Sequence, residues 1–145
     1  MRYWLFKSEP FKWSWDQQKG RGAAGEEWDG IRNYQARNFM REMKEGDRAF
    51  FYHSNKGLEI VGVAEVSAES APDSTTDDGR WDCVHIRALA DMPRPVTLKA
   101  VKANEALAAM SLVTSMRLSV QPVTPDEWQE VCCMGGLHPE TLQPV

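Results

Sequence analysis

Four short strings join flat apolar rings to hydroxyl, amide and cationic side chains. They are YWLFKSEP from Tyr3, WDGIRNYQARN from Trp28, FFYHSN from Phe50 and SMRLSVQPV from Ser115. A core strand needs only the apolar part of each string. A pocket that stacks on a planar ring and reads its edge needs both parts, because the π-face supplies stacking and short polar groups supply donors and acceptors. The pattern predicts recognition of a nucleobase-like ligand rather than catalysis on it.

Each string offers particular candidates. Lys7 and Ser8 follow the apolar run that ends at Phe6, and Trp13 and Trp15 come soon after. Trp28 leads through Asp29 and Gly30 into Asn33, Tyr34, Gln35 and Arg37, at what reads as a helix start. A helix start presents free backbone N–H groups and a partial positive charge. There Asn33 and Gln35 can bond a base edge and Arg37 a phosphate, with Arg41 on the same polar face. The plainer reading makes Asn33 only a cap and Tyr34 only core. Ser54 and Asn55 fall where a strand turns, either lining a cavity mouth or bonding their own backbone. Arg117, Ser119 and Gln121 alternate onto one strand face, which is either a ligand wall or a solvated surface. His53 alone reads as structural.

Catalytic signatures are missing. The G-x-G-x-x-G spacing at Gly20 follows Gln and Lys rather than a strand, so it reads as loop. Neither a P-loop, a nucleophile elbow nor a metal-ligand spacing is present, and no cofactor or metal is expected. The three cysteines are an odd number, which fits reduced thiols. Cys132 and Cys133 are adjacent in a helix, so one faces the core and the other does not. A net charge of −4 argues against a broad electrostatic footprint on nucleic acid, but not against a pocket for one base. No apolar run approaches the roughly 18–20 residues of a membrane helix. MRYWLFKSEP lacks the shape of a signal peptide, so the expected location is cytoplasmic, or nuclear in a eukaryotic cell.

The elements that must position these groups are predicted as follows. Tyr3 to Phe6 is a strand, and Lys19 to Glu27 a surface loop. Asn33 caps a helix carrying Ala36, Phe39, Met40 and Met43, stopped by Gly46. Arg48 to His53 and Leu58 to Val66 form a hairpin, the second run central in its sheet. Ser67 to Gly79 reads as a mobile loop, Trp81 to Leu89 as a bulged strand and Asp91 to Pro95 as a connector. Thr97 caps a helix reaching Met110. Pro122 confines the end of the strand around Val120 to an edge or a terminus. Thr124, Pro125 and Glu127 open the last helix with a capping box. The sum is one α+β domain spanning residues 1–145, a curved sheet or small β-barrel flanked by helices.

Together with IVGVAEV, LVTSMRLSVQPV and the closing MGGL, in the expected order from Tyr3 to Leu137, the strings resemble the EVE domain family. That resemblance implies a PUA-like fold, related to YTH and ASCH domains. It implies a reader of modified nucleobases, notably 5-methylcytosine and its oxidised forms in DNA, with RNA ligands also proposed. It maps the pocket onto Lys7, Ser8, Trp28, Asn33, Tyr34, Ser54 and Asn55, with Arg117 and Ser119 more loosely. The stand-alone form it resembles leaves any effector protein to be supplied in trans. Two other classes stay open: an enzyme acting on a nucleotide or modified base through Lys7, Glu9 or His53, and a sensor of a free heterocycle.

Overall fold

The computed structural model describes residues 1–145. Its first half contains β1 (Tyr3–Ser8), α1 (Trp15–Gly20), β2 (Glu26–Glu27), α2 (Tyr34–Glu42) and β3 (Arg48–His53). The second half contains β4 (Glu59–Pro72), β5 (Asp82–Thr97), α3 (Leu98–Ala103), α4 (Ser111–Thr114), β6 (Val120–Val123) and α5 (Pro125–Gly135). The six strands form one mixed sheet in the order β2-β5-β4-β3-β1-β6. β1 and β3 are parallel, and the other pairings are antiparallel.

Trp4, Leu5 and Phe6 are all fully buried, so β1 is covered on both faces. Successive side chains of a strand point to opposite faces. Trp4 and Phe6 accordingly join Phe51, Val66, Ile86, Met40 and Trp28 in one core. Leu5 joins Phe50, Ile60, Val63, Leu107 and Trp128 in the other. Trp128 of α5 stacks on Tyr3 and Phe50, with centroids 4.4 and 4.1 Å away. Asp47, 4% exposed, accepts from Trp4 Nε1 and from the backbone of Arg2 and Lys44. This ties the start of β1 to the start of β3.

Several expectations hold. Asn33 and Thr124 cap α2 and α5, the latter with its capping box. β4 is central, and β6 with Pro122 is an edge strand. Cys132 is buried and Cys133 exposed. Others are corrected. Lys19 to Glu27 is not simply loop: it holds the end of α1, a short 3-10 turn and β2. The missed signal was Ser14, whose capping box with Gln17 starts α1. Ser67 to Pro72 continues β4, and Asp91 to Pro95 continues β5. Ser67 to Pro72 is polar yet joins the β4–β5 ladder opposite Asp82 to His85, whereas within Asp91 to Pro95 only Asp91 has a partner, Gly62. Four register shifts along that ladder mark bulges that bend and twist it. The helix after Thr97 breaks into α3, a 3-10 turn and α4. Gln121 lies on no solvated face: it is fully buried.

One close approach sets the position of α1. Any Cβ at Gly62 would collide with the indole of Trp15, which therefore lies against bare β4 backbone. Trp15 Nε1 donates to Asp91 at 2.7 Å, and its backbone N–H donates to His53 Nε2 at 3.0 Å. Gly62→Ala must displace that ring, and overpacking of this kind costs about 1–3 kcal/mol. Urea unfolding is expected to show that loss. An unchanged midpoint would mean that the indole does not rest on the strand.

Candidate functional site

Because β1 and β3 run parallel and in register, Ser8 pairs with His53 and both strands end on the same side of the sheet. The Ser54 N–H donates to the Ser8 carbonyl at 2.9 Å, closing the two ends together. A cavity of about 670 Å³ opens at this point. Lys7 and Ser8 line it from β1, and Ser54 from the turn after β3. The segment from Glu26 to Ile31, which includes Trp28, lines another side, and Met116, Arg117 and Ser119 a third. Six predicted site residues thus meet around one space: Lys7, Ser8, Trp28, Ser54, Arg117 and Ser119.

Each is held from behind. Trp28, 8% exposed, meets Phe6 and Phe51 edge-on, with centroids 5.3 and 5.8 Å away, and its N–H donates to the Val84 carbonyl. It is a fixed wall rather than a mobile flap. The Ser8 hydroxyl donates to the Trp13 carbonyl. Lys7 Nζ donates to the Met116 carbonyl at 2.6 Å, and the Lys7 N–H to the Ser119 carbonyl at 2.9 Å. Burial pushes the Lys7 ammonium below its ordinary pKa. The buried amide of Gln121 donates to the carbonyls of Ser111, Ser115 and Leu118. Lys7 and Gln121 together clamp the segment that carries Met116 and Arg117.

The Trp28 segment is fastened by Asp73, which is 2% exposed. Its carboxylate accepts from the Gly30 N–H at 2.9 Å, from Arg32 at 3.1 Å and from both the hydroxyl and the N–H of Thr75. Burial alone would raise its pKa, but the Thr75, Gly30 and Arg32 donors outweigh it and hold the carboxyl at about 2. Asp29 moves the other way. Burial raises its pKa first, and the negative charges of Asp73, Glu27 and Glu26 add to the rise.

The remaining predicted residues lie off this wall. Asn33 spends its side-chain oxygen on the Ala36 N–H at 2.9 Å. With Gln35 it borders a separate groove of about 490 Å³. Tyr34 is half exposed and stacks on Trp81 at 5.0 Å, under the Arg37 guanidinium. Asn55 adopts a left-handed backbone, φ 67°, in the turn beyond Ser54. Arg41 is paired with Asp82 at 2.5 Å. Arg37 bonds the Arg80 carbonyl and Asn38 Oδ1, and no carboxylate pairs with it. His53 is structural, because Nε2 accepts the Trp15 N–H and burial lowers its pKa.

Sequence reasoning passed over Lys12, Glu26, Glu27, Ile31 and Met116, which also line the cavity. Ile31 and Met116 sit inside the singled-out strings, and Lys12, Glu26 and Glu27 lie close beside them. Glu9, Glu26, Glu27 and Asp29 face Lys7, Lys12 and Arg117 around the opening. Such mixed charge suits an uncharged planar ligand with donors and acceptors better than a free phosphate. The structure contains no group of three or more His, Cys, Asp or Glu side chains that could hold a metal ion.

The cavity thus joins an aromatic wall to clamped polar groups at the carboxyl ends of a parallel strand pair within an α+β fold. The EVE domain model matches residues 2–134, and the chain belongs to that family. Mouse thymocyte nuclear protein 1 is 37% identical to it, over 94% of this chain and 75% of the mouse protein. A crystal structure of an Agrobacterium tumefaciens protein is 64% identical, with a TM-score of 0.95 over 100% of this chain and 99% of that one. The human THYN1 protein in complex with 5-methylcytosine-containing DNA is 34% identical, with a TM-score of 0.88 over 93% of this chain and 98% of the human one.

Among the shifted groups, Asp73 and His53 each give a window of pH dependence. Asp73 is depressed from 3.8 to about 2, so its contribution is complete above pH 4 and is lost on acidification towards pH 2. The stability gap between wild type and Asp73→Asn is expected to shrink by roughly 2 kcal/mol across that window. His53 is depressed below 6.5, so its contribution is present above that pH and fades as pH falls further. His53→Gln should flatten the wild-type decline as pH falls below 6.5. Urea unfolding at stepped pH checks both.

Proposed function

We propose that this chain is a non-catalytic reader of a modified nucleobase, 5-methylcytosine or a close relative, presented in DNA or RNA. The carrying observation is that one cavity joins the fixed indole of Trp28 to Lys7, Ser54, Glu27 and Asp29. The human relative solved with 5-methylcytosine-containing DNA supports the choice of ligand.

The energetics require more than stacking. Extruding a base from a duplex costs a few kcal/mol. Stacking on one aromatic side chain returns about 1–3 kcal/mol. Net affinity therefore rests on bonds to the base edge and to phosphates. A cytosine presents an amino donor beside ring acceptors, and a carboxylate is a natural acceptor for that amine. Glu27 and Asp29 are placed for this role, and the Ser54 hydroxyl and Arg117 serve the acceptors. Ile31 supplies apolar surface for a methyl group. One buried methyl is worth about 0.8 kcal/mol, a several-fold preference over the parent base. Of the two predicted phosphate contacts Arg37 is the one left, since Arg41 is neutralised by Asp82. A chain that only binds passes its signal to an effector supplied in trans, in the cytoplasm or in a eukaryotic nucleus.

A second reading is enzymatic, because Lys7 and Asp29 are perturbed groups lining one cavity. Against it, the Lys7 ammonium is already bonded to the Met116 carbonyl. Release of any product from a modified oligonucleotide would favour this reading.

Oligonucleotides that differ only by cytosine or 5-methylcytosine test the proposal by fluorescence anisotropy. Wild type is expected to prefer the methylated base several-fold. Ser54→Trp fills the cavity mouth, so it should abolish that preference while the melting temperature stays unchanged. Equal binding of both bases by wild type would refute the reading. Arg37→Ala is expected to weaken all sequences alike and to reduce the salt slope by about 1, whereas Arg41→Ala leaves the slope unchanged.

A further inference from the structure

The base cavity has a neighbour that the reading above leaves unused. Asn33, Gln35 and the segment Val113 to Leu118 border the groove of about 490 Å³. Met116 and Arg117 line both spaces, so they form the ridge between them. Met116 is 58% exposed, among the few large apolar side chains left in water. Its backbone, by contrast, is fixed. Lys7 Nζ holds its carbonyl at 2.6 Å, and Gln121 bonds the Ser115 and Leu118 carbonyls on either side, at 2.9 Å each. A buried amide spent on three carbonyls and a desolvated lysine spent on a fourth are costly means of holding a loop whose tip is an exposed thioether. An apolar side chain on a rigid ridge is what a wedge needs, because the backbone has already lost its freedom before insertion.

We infer that Met116 is a wedge that enters the base stack of a duplex beside the extruded nucleotide, with the groove of Asn33 and Gln35 receiving the adjoining nucleotide of the same strand. The inference rests on the base-reading proposal and deepens it by naming duplex nucleic acid as the partner. The ridge borders the cavity, so a base entering the cavity leaves its vacant place in the stack next to Met116. Apolar side chains, Met among them, are inserted between base steps where proteins unstack a duplex. Met is unbranched and adapts to the gap it fills. Asn33 Nδ2 and the Gln35 amide are placed to meet the sugar–phosphate or edge of the neighbouring nucleotide, and Arg117 can serve either space.

The test compares one strand carrying a single 5-methylcytosine, alone and in a matched duplex, bound to wild type, Met116→Ala and Met116→Leu. Met116 is exposed, so both variants should fold. Met116→Ala is expected to lose about tenfold on the duplex, the size of one lost apolar side-chain burial, and to bind the single strand as wild type does. Met116→Leu should restore most of the duplex affinity. Equal loss on both forms would make Met116 part of the base cavity and overturn the wedge, and so would no loss on either. If wild type fails to distinguish methylated from plain cytosine even in the single strand, the base-reading proposal fails and the wedge falls with it. Loss on the duplex alone separates the two cases.

Discussion

The parallel pairing of β1 with β3 is the constraint on which the rest of this structure depends. Parallel neighbours cannot be joined by a tight turn, so the chain between them must cross over. That crossover, from Glu9 to Asp47, carries Trp13, Trp15, Trp28 and α2. It also brings the two strand ends, Ser8 and His53, to the same side. The crossover therefore delivers aromatic side chains to the place where two strands stop and their polar continuations, Ser8 and Ser54, begin. Both faces of the pair are packed, with Trp4, Phe6 and Phe51 in one core and Leu5 and Phe50 in the other. The cavity is built on rigid supports, as precise recognition requires.

The two loops that complete the cavity are held by buried polar groups rather than by regular structure. Asp73 gathers Gly30, Arg32 and Thr75, and Gln121 gathers three carbonyls of the segment before β6. Burying such groups is unfavourable unless each finds partners, and here they do, apart from Gln121 Oε1. Charge is managed in the same local way. The chain carries a net −4, and Arg32, Arg41 and Arg80 are paired with Asp73, Asp82 and Asp78. These three guanidiniums are thereby occupied, while the exposed Lys44, Lys56, Arg94, Lys99, Lys102 and Arg117 have no carboxylate partner.

Much of the fold was legible because its signals are local. Asn33 and Thr124 sit where caps belong, Pro122 at an edge, and Met40 and Ala36 on the buried stripe of α2. What escaped was decided by distant partners. Ser67 to Pro72 is polar yet extended, because β5 offers a ladder to join. Trp28 serves as both core and cavity wall, because Phe6 and Phe51 arrive from other strands to seat it.

The sequence by itself determined the family, the α+β class, the helix caps and the neighbourhood of the cavity, since each rests on residues close together in the chain. The tertiary structure alone decided which of those residues share a space. Tyr34 was claimed by Trp81 and Arg41 by Asp82. Glu27 was brought in from a segment with no marked composition, and Asp29 and Met116 from within strings singled out for other residues. The physical reason is that a donor or a ring has limited capacity. Whether it faces a ligand depends on whether a distant partner has already taken it, and only the folded chain brings those partners together.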